Sequence, residues 1–464
     1  MVHTRRTGRS FCDATSYAWP PPRAGGARPI FLHHGSWYVY YWDGARQVRR
    51  RIGPDASEAS QVAAPLNAEL SRGSQTLRPF DPITVAELRQ RFLDHHESVL
   101  HSSLATVSRY RTATAYAERF AGQQPNELQA HELESDGLIR WLRTLHVAPN
   151  GHSNSRKRSL QEKGIRFILE TCRGMYRYAA KRRHLPPYFE NPFSELAAAK
   201  VHADDAAPVF IFDAATEARF LGAADRWSFP IHFTLSKTGL RPGELAHLLI
   251  EELDLDQGWL QVRGKPELRW RVKTRRERAV PLVQEVVDVL RHVIGGREAG
   301  PVFQRPRFQQ DSASPAANHN REALAHILHE RIAAAETQWG RRPTRDEDAR
   351  IARTVWRDAG AIRSDDIRTS FIRIAKSVGL QNVTCPKSWR HSFATLLQDA
   401  NVDPLIRQIT LGHAPSAQGN GGLGMTAVYT HTRAETQERE IERAVRLWPQ
   451  ALQIAREWLE GVPS

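Results

Sequence analysis

The chain has 464 residues, 41% hydrophobic and 25% charged, the composition of a globular protein with a sizeable core and, at roughly 150 residues per domain, about three domains. No stretch approaches the ~20 apolar residues of a membrane span, and the N-terminus lacks the apolar core of a secretory signal. The cysteines Cys12, Cys172 and Cys385 form no C-x-x-C pair, which excludes a disulfide framework or zinc ribbon, and the net charge of +14 favours a polyanionic partner such as nucleic acid.

Residues 1–30, rich in Arg, Gly and Pro, read as a disordered basic tail. Over 31–78, the aromatic run Trp37–Trp42 reaches a hairpin signal at Asp43-Gly44 and returns through Arg46, Val48, Arg50 and Ile52 in alternation. A helix is expected over Ala56–Ser71. With Arg46, Arg49 and Arg50 on its returning strand, the ribbon reads equally as a DNA-contacting surface or as the solvated face of a short sheet.

Residues 79–203 read as all-helical. Thr84 and Glu87 form a capping box ahead of Val85, Leu88 and Phe92. Further helices are predicted over Val107–Ala121, His131–Leu145 and Leu160–His184. The last carries the apolar stripe Ile165, Ile168, Leu169, Cys172, Met175 and Tyr176 and closes on cations before Pro186-Pro187. Arg156, Lys157 and Arg158, near its start, are phosphate-contact candidates or a solvated face.

After a linker over 197–208 the pattern becomes mixed. Strands are expected at Trp259–Val262 and Trp270–Leu282, a loop over 301–320 and helices over 321–380, where Thr344 and Glu347 form another capping box. Val445, Leu447, Leu452, Ile454, Ala455 and Leu459 make the C-terminal segment amphipathic. The fold class is therefore mainly α with small β elements (α+β), divided into a tail over 1–30, a ribbon-and-helix module over 31–78, a helical domain over 79–203 and a mixed domain over 204–464 with an insertion at about 301–380.

Four motifs carry chemistry. In Thr238-Gly239-Leu240-Arg241-Pro242-Gly243-Glu244-Leu245, Arg241 stands at a positive helix N-terminus, unfavourable unless an anion shares the site. Lys273-Thr274-Arg275-Arg276-Glu277-Arg278 followed by Ala279-Val280-Pro281-Leu282 reads as a basic hairpin with its lysine near the tip. The segment from Pro386 to Leu397 puts Lys387, Arg390 and His391 on the first turns of a helix, where a bound anion would again offset crowded cations. Leu411-Gly412-His413 and Thr426-Ala427-Val428-Tyr429-Thr430-His431 complete the set. Taken singly, each has a bland reading: Arg241 paired with Glu244 or Glu252, His413 a core histidine, Tyr429 ordinary packing. A metal site at His326, His329 and Glu330 lacks a third well-spaced ligand, and a solvated helix face is the simpler reading.

In this order the motifs resemble the tyrosine recombinase (phage integrase) family over about 205–440. The resemblance extends more weakly to the helical domain through Asn191-Pro192-Phe193 and to the ribbon as an arm-binding module. It implies Tyr429 as nucleophile, Arg241 and Arg390 as the clamp on the scissile phosphate, Lys273 as the acid that protonates the leaving 5′-oxygen (Lys265 being the alternative), and His413 as a phosphate hydrogen-bonder. Lys387 stands where histidine is usual, His391 matches a supporting residue, and Arg275 and Arg276 are DNA-contact candidates. A phenol with a pKa near 10 is a poor nucleophile at neutral pH, and concentrated positive charge favours both its anion and the phosphorane-like transition state. The covalent 3′-phosphotyrosine conserves the bond energy, so no ATP is needed, and fixed cations do the work of Mg²⁺, so no cofactor or metal is implied.

The implied function is site-specific recombination that integrates or excises a mobile element. A non-catalytic DNA-binding relative and a type IB topoisomerase-like relaxing enzyme are the alternatives. The implied partners are double-stranded DNA and three further copies in a homotetramer on it, with room for accessory DNA-bending proteins and no membrane, in a bacterial cytoplasm on the nucleoid. Residues 417–424 lengthen the segment between His413 and Tyr429 beyond the family pattern, and the C-terminal helix either packs on its own domain or docks on a neighbouring protomer.

Overall fold

The computed structural model describes residues 30–42, 47–62, 81–124, 127–148, 156–186, 189–194, 209–310, 315–413 and 432–461. The expectations for the tail over 1–29, the Asp43-Gly44 turn, Arg46, the end of the Ala56–Ser71 helix, the linker over 197–208, the 417–424 segment and Tyr429 lie outside the described residues. The chain divides into two compact units, Met1–Ala206 and Ala207–Ser464.

The first unit opens with three antiparallel strands rather than the two read from sequence: β1 (Ile30–His33), β2 (Ser36–Trp42) and β3 (Gln47–Gly53). The extra strand turns on His34 and Gly35, both at positive φ (46° and 70°), the signature of a tight hairpin turn that the short segment before Trp37 did not advertise. On β3, Arg49, Arg50 and Arg51 pair with Tyr40, Val39 and Tyr38 of β2. Residues 56–62 are helical.

Four helices follow: α1 (Val85–Asp94), α2 (Leu104–Ala121), α3 (Ser135–Thr144) and α4 (Glu162–Lys181). The Thr84 capping box forms as expected, with the Glu87 N–H donating to Thr84 Oγ1 at 3.1 Å and the Thr84 N–H to Glu87 Oε2 at 3.1 Å. α2 begins earlier than its pattern suggested because Ser103 caps it, and α3 begins later because Ala130–Glu132 forms a separate 3₁₀ turn. The α4 stripe is wholly buried. The Asn191-Pro192-Phe193 motif has a physical reason. Asn191 Nδ2 donates to the Arg173 carbonyl (3.0 Å), its Oδ1 accepts from the Phe193 N–H (3.0 Å), and Phe193 is thereby set edge-on to buried Tyr176. Two short strands absent from the sequence reading, β4 (His146–Val147) and β5 (Arg158–Ser159), also pair here.

The second unit is built around one helix. α5 (Ala214–Gly222) leads to α6 (Ser228–Thr238), every residue of which is buried. α7 (Pro242–Ala246) follows, then an antiparallel sheet of β6 (Leu253–Asp254), β7 (Trp259–Val262) and β8 (Arg278–Pro281). The expected strand Trp270–Leu282 is regular only over β8. Upstream, Trp270 bridges back to Lys265 and Val272–Arg275 turns, because Arg275 adopts φ +54°.

α8 (Gln284–Ile294) packs against α6. The expected loop over 301–320 instead holds α9 (Pro306–Gln310) and a 3₁₀ turn at Pro315–Asn318. α10 (Arg321–Trp339) and α11 (Arg345–Asp358) form a helical pair with its own small core of Leu324, Leu328, Ala352, Val355 and Trp356 against Leu249 and Leu268. α12 (Ser364–Ser377) belongs to the main core, where Phe371 meets Phe220, Trp389 and Phe212. α13 (Lys387–Asp399) and α14 (Pro404–Leu411) close that core.

α15 (Ala434–Val445) and α16 (Pro449–Glu460) end the described chain. Of the two readings of the C-terminal helix, packing on its own domain is observed. Ala451, Leu452 and Ala455 are buried in the core of their own unit, Trp458 stacks on Phe229 (5.2 Å, 22°) and Arg456 pairs with Glu285 of α8. Val445, Leu452 and Ala455 of this segment are spent within the chain, while Leu447 stays exposed.

Candidate active site

Two backbone turns converge at the site. α6 ends on Gly239 in the left-handed conformation (φ +61°), which allows the chain to reverse into α7 with Arg241 as its N-cap and Pro242 in the first turn. A Cβ at Gly239 would lie 2.5 Å from Phe393 Cδ1, so the turn is also pressed against α13. α14 ends on Gly412 (φ +65°), where a Cβ would lie 2.9 Å from Arg278 Cδ. Both sites therefore require glycine, for conformation and for space.

Around these turns stand three guanidiniums and one carboxylate. Glu244, in the first turn of α7, accepts from the Arg241 N–H (2.9 Å) and from Arg241 Nη1 (2.7 Å). Arg278, opening β8, donates to both oxygens of the same carboxylate (3.2 and 2.6 Å) and through Nε to the Thr410 carbonyl (2.9 Å). Burial pushes the Glu244 carboxyl up, but the Arg278 and Arg241 hydrogen bonds and charge outweigh it, and the carboxyl is held below its usual value.

Arg390, on the first turn of α13, donates Nη1 to the Gly239 carbonyl (2.8 Å) and Nη2 to the Leu411 carbonyl. Its Nη2 also lies 3.1 Å from His413 Nε2. A guanidinium can only donate, so Nε2 accepts and the neutral imidazole carries its proton on Nδ1. Burial first, then Arg241 and Arg278, lower Arg390 to about 10, still cationic at neutral pH. Partial burial and then Arg390, Arg241 and Arg278 hold His413 below its usual value. The cluster thus carries two positive charges more than its own carboxylate balances.

The structure brings Arg241, Arg390 and His413 together. Two partners that the sequence did not single out as site residues complete the cluster: Arg278 and, as its anchor, Glu244. The signal for Arg278 is the period-two pattern of β8, which points it inward beside Val280. Lys387 and His391 share α13 with Arg390, but both are exposed, His391 beside a groove lined by Val209, Ile211, Gln408 and His413.

Lys273 is exposed at the 272–275 turn and makes no ion pair among the described residues. Its rival Lys265 is buried and paired with Glu252 at 2.6 Å. Arg275 and Arg276 are exposed on the same connection. In the other unit Arg156, Lys157 and Arg158 are exposed, Arg158 within β5, and Arg49 lies over the Tyr38 ring at 4.8 Å. Arg50 sits on β3. His326 pairs with Glu330 at 3.2 Å on an exposed helix face, and no group of three or more metal-ligating side chains occurs among the described residues.

Residues 230–436 match the model of the phage integrase family. The tyrosine recombinase XerD of Listeria innocua is 27% identical over 197 residues, 42% of this chain and 47% of the relative, so the chain spans about half the length of these XerD proteins. The tyrosine recombinase XerC of Xanthomonas campestris pv. campestris is 28% identical over 379 residues, 80% of this chain and 92% of the relative. Among solved structures, the Tn1549 transposon integrase in complex with transposon right end DNA is 18% identical with a TM-score of 0.49, covering 78% of this chain and 100% of that one. A lambda integrase tetramer bound to a Holliday junction is 14% identical with a TM-score of 0.47, covering 84% and 97%. The cationic cluster lies within the residues that match the phage integrase family model, the part of the chain most clearly similar to tyrosine recombinases.

Proposed function

We propose that this protein is a site-specific DNA recombinase that cuts and rejoins DNA strands through a 3′-phosphotyrosine intermediate. The observation that supports this most directly is the convergence of Arg241, Arg278, Arg390 and His413 around a single carboxylate, a site short of negative charge. A phosphodiester supplies the missing anion, and planar guanidiniums bind its oxygens bidentately without losing charge.

In this reading Arg241 and Arg390 hold the non-bridging oxygens, and the His413 Nδ1–H donates to one of them. The phenolate oxygen of Tyr429 attacks phosphorus, the bond to the 5′-oxygen breaks, and Lys273 gives that oxygen a proton. Lys387 adds a fourth donor to the phosphate. Arg278 fixes Glu244, and Glu244 fixes Arg241. Catalysis is electrostatic, by charges placed before the reaction begins.

We assign the ribbon over 31–78 and the helical domain over 79–203 to DNA outside the cleavage point, with Arg46, Arg49, Arg50, Arg156, Lys157 and Arg158 on phosphates, and residues 204–464 to cleavage. We assign the protein a working unit of four copies on duplex DNA in the bacterial cytoplasm.

The test is covalent trapping on nicked suicide duplexes taken from the DNA flanking the gene. Wild-type protein forms an adduct stable to denaturant and Tyr429→Phe forms none. Binding without any adduct would leave a non-catalytic DNA-binding relative, and relaxation of plasmids lacking a specific site would leave a type IB topoisomerase.

A further inference from the structure

The segment between β8 and α12 carries a second group of cations away from the cluster just described. Arg305 and Arg307 place their guanidiniums over the same ring, Phe308, at 4.9 and 5.0 Å. That ring is fixed from behind, since a Cβ at Gly360 would meet it at 2.8 Å. Arg305 Nη2 donates to the Arg357 carbonyl, and the positive charges of Arg357 and of Arg363, the N-cap of α12, act on Arg305.

The carboxylates nearby are already engaged. Asp366 is chelated by Arg363 (2.7 and 3.1 Å), and Asp358 is shared by Arg331 (2.8 Å) and Arg357 (3.0 Å). Neither Arg305 nor Arg307 has an ion-pair partner among the described residues, and Arg305 Nε is buried without a hydrogen-bond partner. Burial first, then Arg307, with Arg363 and Arg357 adding to it against Asp366, lowers the Arg305 pKa, so like charges are held together there at a cost.

A Cβ on Gly243 would lie 3.9 Å from Ser364 Oγ, so the start of α12 touches the first turn of α7, whose N-cap is Arg241. We propose that Arg305, Arg307 and Arg357 form a second phosphate-binding track that holds the duplex backbone beside the scissile phosphate. This rests on the recombinase reading for its partner, duplex DNA. An aromatic ring that carries two guanidiniums keeps them extended and close to the surface, as backbone recognition requires. The track reads charge and adds affinity without sequence preference.

The probe is a random-sequence fluorescent duplex of about 30 base pairs, with binding followed by anisotropy against salt. Arg305→Gln with Arg307→Gln is expected to weaken binding by about tenfold at moderate salt and to make the plot of log affinity against log salt shallower by about 2. Arg307→Gln alone, at an exposed side chain, gives about half of that change with an unaltered melting temperature. Arg342→Gln with Arg350→Gln, the same charge change on exposed arginines elsewhere, leaves the slope near wild type. An unchanged slope in the Arg305/Arg307 variant, or an equal loss in the Arg342/Arg350 control, overturns the track. Failure of the recombinase reading is separate, because it shows in wild-type protein as the absence of a Tyr429-dependent adduct.

Discussion

Arg278 closes a two-pronged hydrogen bond on Glu244, at 3.2 and 2.6 Å, with both side chains almost fully buried. The same carboxylate holds the backbone and side chain of Arg241. One buried acid therefore sets the position of two cations, and it neutralises only one of them.

Removing either partner strands a buried charge. Arg278→Ala is expected to lose about 3–5 kcal/mol of stability by urea unfolding, and Glu244→Gln a smaller amount with the two arginines repelling each other. Arg278→Lys keeps the charge without the fork, so it folds better than Arg278→Ala but restores little cleavage. Full adduct formation by Arg278→Ala would remove Arg278 from the site.

The His413 imidazole is neutral in the empty site because burial and three arginines hold its pKa below 6.5. A bound phosphodiester brings a negative charge to it and raises that pKa. Binding therefore takes up a proton, and affinity rises as pH falls through about 7 to 5.5. Anisotropy titrations should show this rise for wild type and a flatter profile for His413→Gln. Identical profiles would separate His413 from the bound phosphate.

Gly412→Ala combines left-handed strain, about 1–2 kcal/mol, with a Cβ 2.9 Å from Arg278 Cδ. The side chain that must yield belongs to the cluster. Cleavage is expected to drop by more than tenfold while the melting temperature falls by only a few degrees. Equal, proportionate losses would show that Gly412 serves the fold alone.

Acid sensitivity is written into the core at His232. Burial drives its pKa from 6.5 down to about 3, against a smaller opposing pull from Asp225. Its Nε2 lies 3.0 Å from Ser370 Oγ, amid Phe220, Phe371 and Trp389. The unfolded chain takes a proton below 6.5 and the folded chain does not. The stability it confers is therefore complete above pH 6.5 and is lost as pH falls toward 3, at about 1.4 kcal/mol per pH unit. Denaturation curves between pH 4 and 7 should show a shallower pH slope for His232→Phe than for wild type, and an unchanged slope would refute this.

The C-terminal helix is part of the core, so Leu452→Ala should cost about 2–5 kcal/mol. A chain ending before Pro449 should unfold or aggregate rather than remain a stable DNA binder deficient in recombination. A well-folded truncated protein would favour docking between protomers.

How far the sequence reached depended on whether a signal was local. The Thr84 and Thr344 capping boxes form where side chains three residues apart predicted them, and the α4 stripe is buried residue for residue. The β1 strand was not legible, because it hinges on His34, a non-glycine residue at positive φ, whereas the turn at Val272–Arg275 falls where the basic hairpin was expected to have its tip. Arg278 was hidden for a different reason. In the run Arg275-Arg276-Glu277-Arg278, only the two-residue alternation with Val280 separates the inward Arg278 from the exposed Arg275 and Arg276.

Residue types and their order determined the family motifs, the excess of positive charge and the helical character of most of the chain, since all three are properties of neighbouring residues. Tertiary structure decided which cations share a carboxylate, that Lys265 is consumed by Glu252 while Lys273 is left exposed, and that the last helix closes its own domain. These outcomes depend on packing between segments apart in the chain, from Lys265 with Glu252 to Gly239 with Arg390 and Arg278 with Thr410, where burial raises the cost of every unpaired charge and so selects the partners.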